Sequence, residues 1–69
     1  MIEVFAIGSK VSYKTNPELD TTVLQVSLSE GQTRYEVVYW DDNRRVTEWV
    51  YEFELMAKSE TKLQKIGFL

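Results

Sequence analysis

The feature that most restricts this chain is a pair of strongly β-prone runs, Arg34–Trp40 and Arg45–Tyr51, separated only by Asp41-Asp42-Asn43-Arg44. Branched and aromatic side chains suit a pleated surface, whereas Asp and Asn tolerate the backbone conformations of tight turns. The segment is predicted to be a β-hairpin. A symmetric two- or four-residue turn pairs Trp40 with Arg45, Tyr39 with Val46, Val38 with Thr47, Val37 with Glu48 and Glu36 with Trp49. Opposed residues share a face. One face then carries Tyr35, Val37, Tyr39, Val46, Glu48 and Val50, and the other Arg34, Glu36, Val38, Trp40, Arg45, Thr47, Trp49 and Tyr51. A three-residue turn would slip the register by one and reshuffle both sets; the symmetric register is preferred.

Elsewhere the apolar residues alternate or cluster in short runs, with turn signals at intervals of about ten residues, the spacing of a small antiparallel barrel or sandwich. Four or five strands are expected. Ile2–Ala6 reads as a short opening strand, Gly8-Ser9 as a turn and Lys10–Lys14 as a second strand with Val11 and Tyr13 on one face. Pro17 disfavours helix at the residue before it, and Asn16 is a capping residue, so Asn16–Asp20 reads as a loop containing at most one helical turn. Thr22–Leu28 is the longest predicted strand, with Leu24, Val26 and Leu28 on one face and Val23, Gln25 and Ser27 on the other. Ser29-Glu30-Gly31-Gln32 closes it.

Beyond the hairpin, Phe53 and Leu55 are expected to cover an open end of the barrel. Ala57–Ile66 reads as a short helix with Met56, Leu63 and Ile66 facing one way and Gly67 at its stop. No glutamate completes a capping box after Ser59, which leaves a frayed tail as the alternative. The 69 residues are thus read as a single domain, a barrel over about residues 2–56 followed by a covering helix or tail over 57–69.

Composition narrows the chemistry. Cysteine and histidine are both absent, which removes disulfides, thiolate nucleophiles, Cys/His zinc sites and imidazole acid–base catalysis. Asp41 and Asp42 form a carboxylate pair but lack metal-ligand spacing, and read as turn residues. No catalytic residue, metal or cofactor is expected, and the chain is read as a non-enzyme. The opening Met-Ile-Glu-Val-Phe-Ala has no basic, long apolar leader, and no stretch approaches the roughly 18 apolar residues of a membrane span. A cytosolic protein without membrane association is expected, nuclear if the source is eukaryotic. The net charge is −3, with Lys58, Lys62 and Lys65 gathered in the tail. In the body, Lys10, Lys14, Arg34, Arg44 and Arg45 are scattered among acids, a poor footprint for phosphate neutralisation.

The run Tyr35-Glu36-Val37-Val38-Tyr39-Trp40-Asp41-Asp42-Asn43-Arg44-Arg45-Val46-Thr47-Glu48-Trp49-Val50, followed by Phe53-Glu54-Leu55, resembles chromo-barrel and Tudor-knot domains of the SH3-like barrel group. Gly8-Ser9-Lys10-Val11-Ser12-Tyr13 is similar to their opening Gly-x-x-Val strand, so the likeness covers about residues 7–55. It implies a mainly β, SH3-like (Tudor/chromo-barrel) small antiparallel barrel of 4–5 strands and leaves the C-terminal segment, read above as a short helix or a frayed tail, unexplained. Many such domains hold a methylated ammonium in an aromatic cage. Of the matching positions only Tyr39 is aromatic here; Asp42 and Val46 replace the others. Trp49 matches the structural tryptophan of the family, which implies a buried ring, and Tyr13, Tyr35 and Tyr51 read as wall residues with their hydroxyls reaching solvent.

Two readings of the aromatic hairpin face are open: Leu63, Ile66 and Phe68 of the C-terminal segment cover Trp40 and Trp49, or the rings form a surface for a partner. The resulting expectation is a protein-interaction module with an unidentified protein partner, binding through Tyr39, Trp40, Asp42 and Arg45. The alternatives are nucleic-acid binding through Lys10, Lys14, Arg34, Arg44 and Arg45, or a self-associating structural or inhibitory protein whose edge strand or tail makes the oligomer.

Overall fold

The structure, a computed structural model, describes residues 2–67. Among the described residues seven strands form: β1 Ile2–Phe5, β2 Lys10–Tyr13, β3 Asn16–Ser29, β4 Gln32–Asp41, β5 Arg44–Tyr51, β6 Leu55–Ala57 and β7 Leu63–Ile66, with a 3-10 turn at Glu52–Glu54. The fold is mainly β, in two antiparallel sheets. One holds β5-β4-β3-β2-β6 in that order and the other pairs β1 with β7. No ladder joins β5 to β6 among the described residues, so the larger sheet keeps two edges rather than closing through hydrogen bonds.

The central hairpin takes the symmetric register, from Asp41↔Arg44 through Trp40↔Arg45 and Glu36↔Trp49 to Arg34↔Tyr51. Its turn has two residues, Asp42 and Asn43, with φ of 49° and 68°, the left-handed pair of a type I′ turn whose twist matches that of the strands. Glu30 and Gly31, with φ of 49° and 78°, make the equivalent turn between β3 and β4.

Three expectations about the strands are corrected first. The strict alternation along Thr22–Leu28 is broken by a bulge at Leu24, between the pairs Val23↔Val37 and Gln25↔Glu36. One extra residue moves the strand to the other parity, so Val23 points inward together with Val26 and Leu28. The predicted loop at Asn16–Asp20 belongs to β3, without a helical turn. Pairing with β2 nevertheless lapses there: between Val11↔Thr21 and Tyr13↔Asn16, Ser12 alone faces residues 17–20, and its hydroxyl lies 2.8 Å from the Pro17 carbonyl and 3.2 Å from that of Leu19. Pro17, lacking an N–H, is tolerated at such an irregular strand start.

The third correction concerns the C-terminal segment, which contains no helix among the described residues. Lys58 N–H donates to Thr61 Oγ1 at 2.7 Å and Thr61 N–H to the Lys58 carbonyl at 3.1 Å, forming a turn. The Thr61 hydroxyl in turn donates to the Lys10 carbonyl, tying that turn to β2. β7 then pairs Leu63 with Phe5 and Ile66 with Ile2. A ten-residue helix without a cap offsets little of its nucleation cost, whereas the backbone groups of β1 require a ladder partner.

The core is small: Val4, Val11, Val23, Tyr35, Val37, Val50 and Leu55 are buried, with Phe5, Tyr13, Val26, Leu28 and Ile66 packed partly against them. Val4 and Ile66 bring both sheets into one cluster. Leu55 is buried in this core, whereas Phe53, expected beside it as a cover, stands 70% exposed. Tyr35, expected at the wall with a solvated hydroxyl, is fully buried. Its hydroxyl accepts from Phe5 N–H at 3.1 Å and donates to Glu52 at 2.9 Å.

Candidate functional site

Because β4 and β5 pair in the symmetric register, their two faces separate cleanly. Tyr35, Val37 and Val50 are buried on the inner face, so the complementary set looks outward. With β3 added, the outer face is a grid of cross-strand rows. Trp40 lies beside Arg45 nearest the turn; Thr22, Val38 and Thr47 follow; then Gln25, Glu36 and Trp49; then Ser27, Arg34 and Tyr51.

Trp40 is 63% exposed and Trp49 49%. The burial expected of Trp49 from its match to the structural tryptophan is therefore corrected: its row position puts the indole on the solvent side, where no neighbouring element packs over it among the described residues. The covering role expected of Leu63 and Ile66 is corrected too, since β7 is committed to β1, while Phe68 lies outside the described residues.

Of the residues predicted to bind, the hairpin brings Trp40 and Arg45 together as a directly opposed pair and sets Asp42 in the turn beyond them. Tyr39 goes to the other face. There its ring meets Tyr13 edge-to-face, with centroids 5.8 Å apart and planes at 83°. The Tyr13 hydroxyl donates to Glu48 Oε2. Burial, then the hydrogen bond and charge of Glu48, push the Tyr13 phenol above its ordinary range. The tyrosine pair arises from β2 and β4, which are distant in sequence, and no local pattern announces it.

A second cluster that sequence reasoning missed lies at the far end of the same outer face. Tyr51 and Phe53 stack with centroids 5.4 Å apart and planes at 8°. The 3-10 turn makes this possible by folding Phe53 back after β5 ends, and Glu54 fixes it by accepting from Tyr51 N–H at 2.8 Å. Arg34 sits in the row with Tyr51, its Nε buried and without a hydrogen-bond partner among the described residues. Glu36 accepts from Gln25 Nε2 at 2.9 Å across the β3–β4 pair. Asp41 and Arg44 form an exposed 3.9 Å ion pair at the turn, of the kind that contributes little.

Among the described residues there is no group of three or more His, Cys, Asp or Glu placed to hold a metal ion, and no helix is long and apolar enough to cross a membrane. Comparison with known protein families, with characterised proteins and with solved structures gives no match. The class to which fold and site assign the chain is that of small, mainly β proteins with an exposed aromatic sheet face.

Proposed function

We propose that this chain is an SH3-like small barrel of the Tudor/chromo-barrel type and acts as a non-catalytic protein-interaction module, contacting its partner through the outer face of the β4–β5 hairpin. The observation that carries the reading is the exposure of Trp40 and Trp49, 63% and 49%, on one sheet face, with Arg45 directly opposite Trp40 and two rows from Trp49. Trp, Tyr and Arg anchor interfaces because they bring large contact area and polar tips at low entropic cost. Fold support comes from the meander β2-β3-β4-β5 and the return of β6 to pair with β2. Within the binding set, Trp40 and Arg45 are the anchors, Asp42 the rim, and Tyr39 a support from beneath.

The test is affinity capture from nuclease-treated extract of the source cells, comparing the natural chain with Trp40→Ala and Arg45→Ala. Loss of the same captured protein with both variants supports the reading; capture indifferent to both defeats it.

A second reading, single-stranded nucleic acid, draws on Arg34 and Arg45 sharing the face with Trp40, Trp49 and Tyr51, since bases stack on aromatic rings while arginines meet phosphates. The net charge of −3 weighs against it. A steep fall of oligonucleotide affinity with salt would favour it.

A further inference from the structure

Among the described residues the outer edge of β5 has no strand partner over its eight residues, and neither a bulge nor a proline blunts it. In a two-residue hairpin the pair flanking the turn, here Asp41↔Arg44, exchanges both backbone hydrogen bonds, and the pattern alternates from there. Arg44, Val46, Glu48 and Val50 therefore turn their N–H and C=O groups toward β4. Arg45, Thr47, Trp49 and Tyr51 turn theirs away from the sheet. The Tyr51 N–H is taken by Glu54, in keeping with this parity. The same groups of Arg45, Thr47 and Trp49 have no backbone partner among the described residues.

From this we infer that β5 pairs antiparallel with β5 of a second copy of the chain about a two-fold axis through Thr47. Only registers centred on a residue keep inner and outer faces aligned across such a pair, and the one centred on Thr47 uses the three open positions completely. Thr47 exchanges two hydrogen bonds with its own counterpart, and Arg45 exchanges two with Trp49 of the second copy on either side of the axis.

Charge complementarity selects the same occupant. The strand is basic at one end, Arg44 and Arg45, and acidic toward the other, Glu48 and then Glu52. An antiparallel copy lays each basic end against the acidic end of its counterpart, with Arg44 diagonal to Glu48 and the Arg45 guanidinium opposite the Trp49 ring. A parallel copy would oppose like charges. The dimer joins two five-stranded sheets edge to edge and makes their aromatic faces continuous. It rests on the ladder of β5 and not on any partner of the aromatic face.

The test is light scattering with the purified full chain from roughly 10 μM to 1 mM, the range suited to a small interface. The expected mass rises from 8.1 kDa toward twice that value. Thr47 is exposed and meets only itself across the axis, so Thr47→Lys opposes two ammonium groups. It should weaken the dimer at least about tenfold while leaving the melting temperature of the dilute monomer unchanged. Because the chain has no cysteine, Thr47→Cys should form a disulfide-linked dimer under mild oxidation, whereas Glu18→Cys, on exposed β3, should not. Trp40→Ala should leave the dimer intact even though it abolishes partner capture, which separates this inference from the proposed function. A mass fixed at 8.1 kDa up to 1 mM, a dimer indifferent to Thr47→Lys, or equal cross-linking at both cysteine positions would overturn it.

Discussion

The Tyr35 phenol donates a 2.9 Å hydrogen bond to the Glu52 carboxylate, which joins the most buried ring of β4 to the 3-10 turn that follows β5. The same oxygen accepts from Phe5 N–H of β1 at 3.1 Å, and the Phe5 ring packs against Tyr35 with centroids 5.3 Å apart. One side chain thus ties together three segments that share no ladder. Tyr35→Phe keeps the packing and leaves both the Phe5 N–H and the carboxylate short of a partner. It should destabilise the fold by about 1–3 kcal/mol, as measured by urea unfolding. A loss below a few tenths of a kcal/mol would show that the hydroxyl is not a tie.

Alkaline pH probes the same contact. Burial pushes the Tyr35 phenol up to about 12, with Glu52 adding to the shift and Phe5 N–H opposing it. The folded value lies above the unfolded value of 10.0, so this contribution is complete below pH 10 and drains away between pH 10 and 12. Stability should fall with rising pH across that window. Tyr35→Phe has no proton to lose and should fall less steeply; parallel curves for the two proteins would contradict the assignment.

Trp40 and Trp49 should behave alike. Both indoles are on the open face, so alanine at either position should cost about 1 kcal/mol or less, far from the 3–5 kcal/mol of a buried tryptophan. Both should also emit at long wavelength and be accessible to acrylamide. A large loss confined to Trp49 would restore it to the core.

The type I′ turn should be sensitive to its second residue. Asn43 holds a φ of 68°, which Gly adopts freely and a β-branched residue does not. Asn43→Gly should be neutral or stabilising by up to about 1 kcal/mol, and Asn43→Val should destabilise by about 1–2 kcal/mol. Thermal melts of the pair decide it, and the reverse order would mean a different turn.

Trimethyl-lysine peptides should not bind through the tyrosine pair. Tyr13 and Tyr39 already pack edge against face at 5.8 Å, and Glu48 is occupied by the Tyr13 hydroxyl, so no open corner is held ready for a quaternary ammonium. Amide shifts should be the same for methylated and unmethylated peptides. Methyl-dependent shifts at Tyr13, Tyr39 and Glu48 would show that the pair opens into a cage.

The hairpin and its register were legible in the sequence because both depend on local chemistry: a two-residue Asp-Asn turn and a period of two, which together settle the side of every residue from Arg34 to Tyr51. The mainly β character followed from the same periodicity. Only the tertiary structure decided the rest. The bulge at Leu24 reverses the faces of β3 because that strand must fit β4 over its whole length, a demand that no window of residues expresses. Leu63–Ile66 is a strand rather than a helix because β1, sixty residues earlier, needs a partner for its backbone. Trp49 is exposed because the inner side of β5 is already filled by Val50 against Tyr35 and Val37. Tyr13 meets Tyr39, and Phe53 stacks on Tyr51, because neighbouring strands and a 3-10 turn carry them there. Local propensity specifies how a segment can be shaped, and the competition among segments for a small core and for ladder partners specifies which shape it keeps.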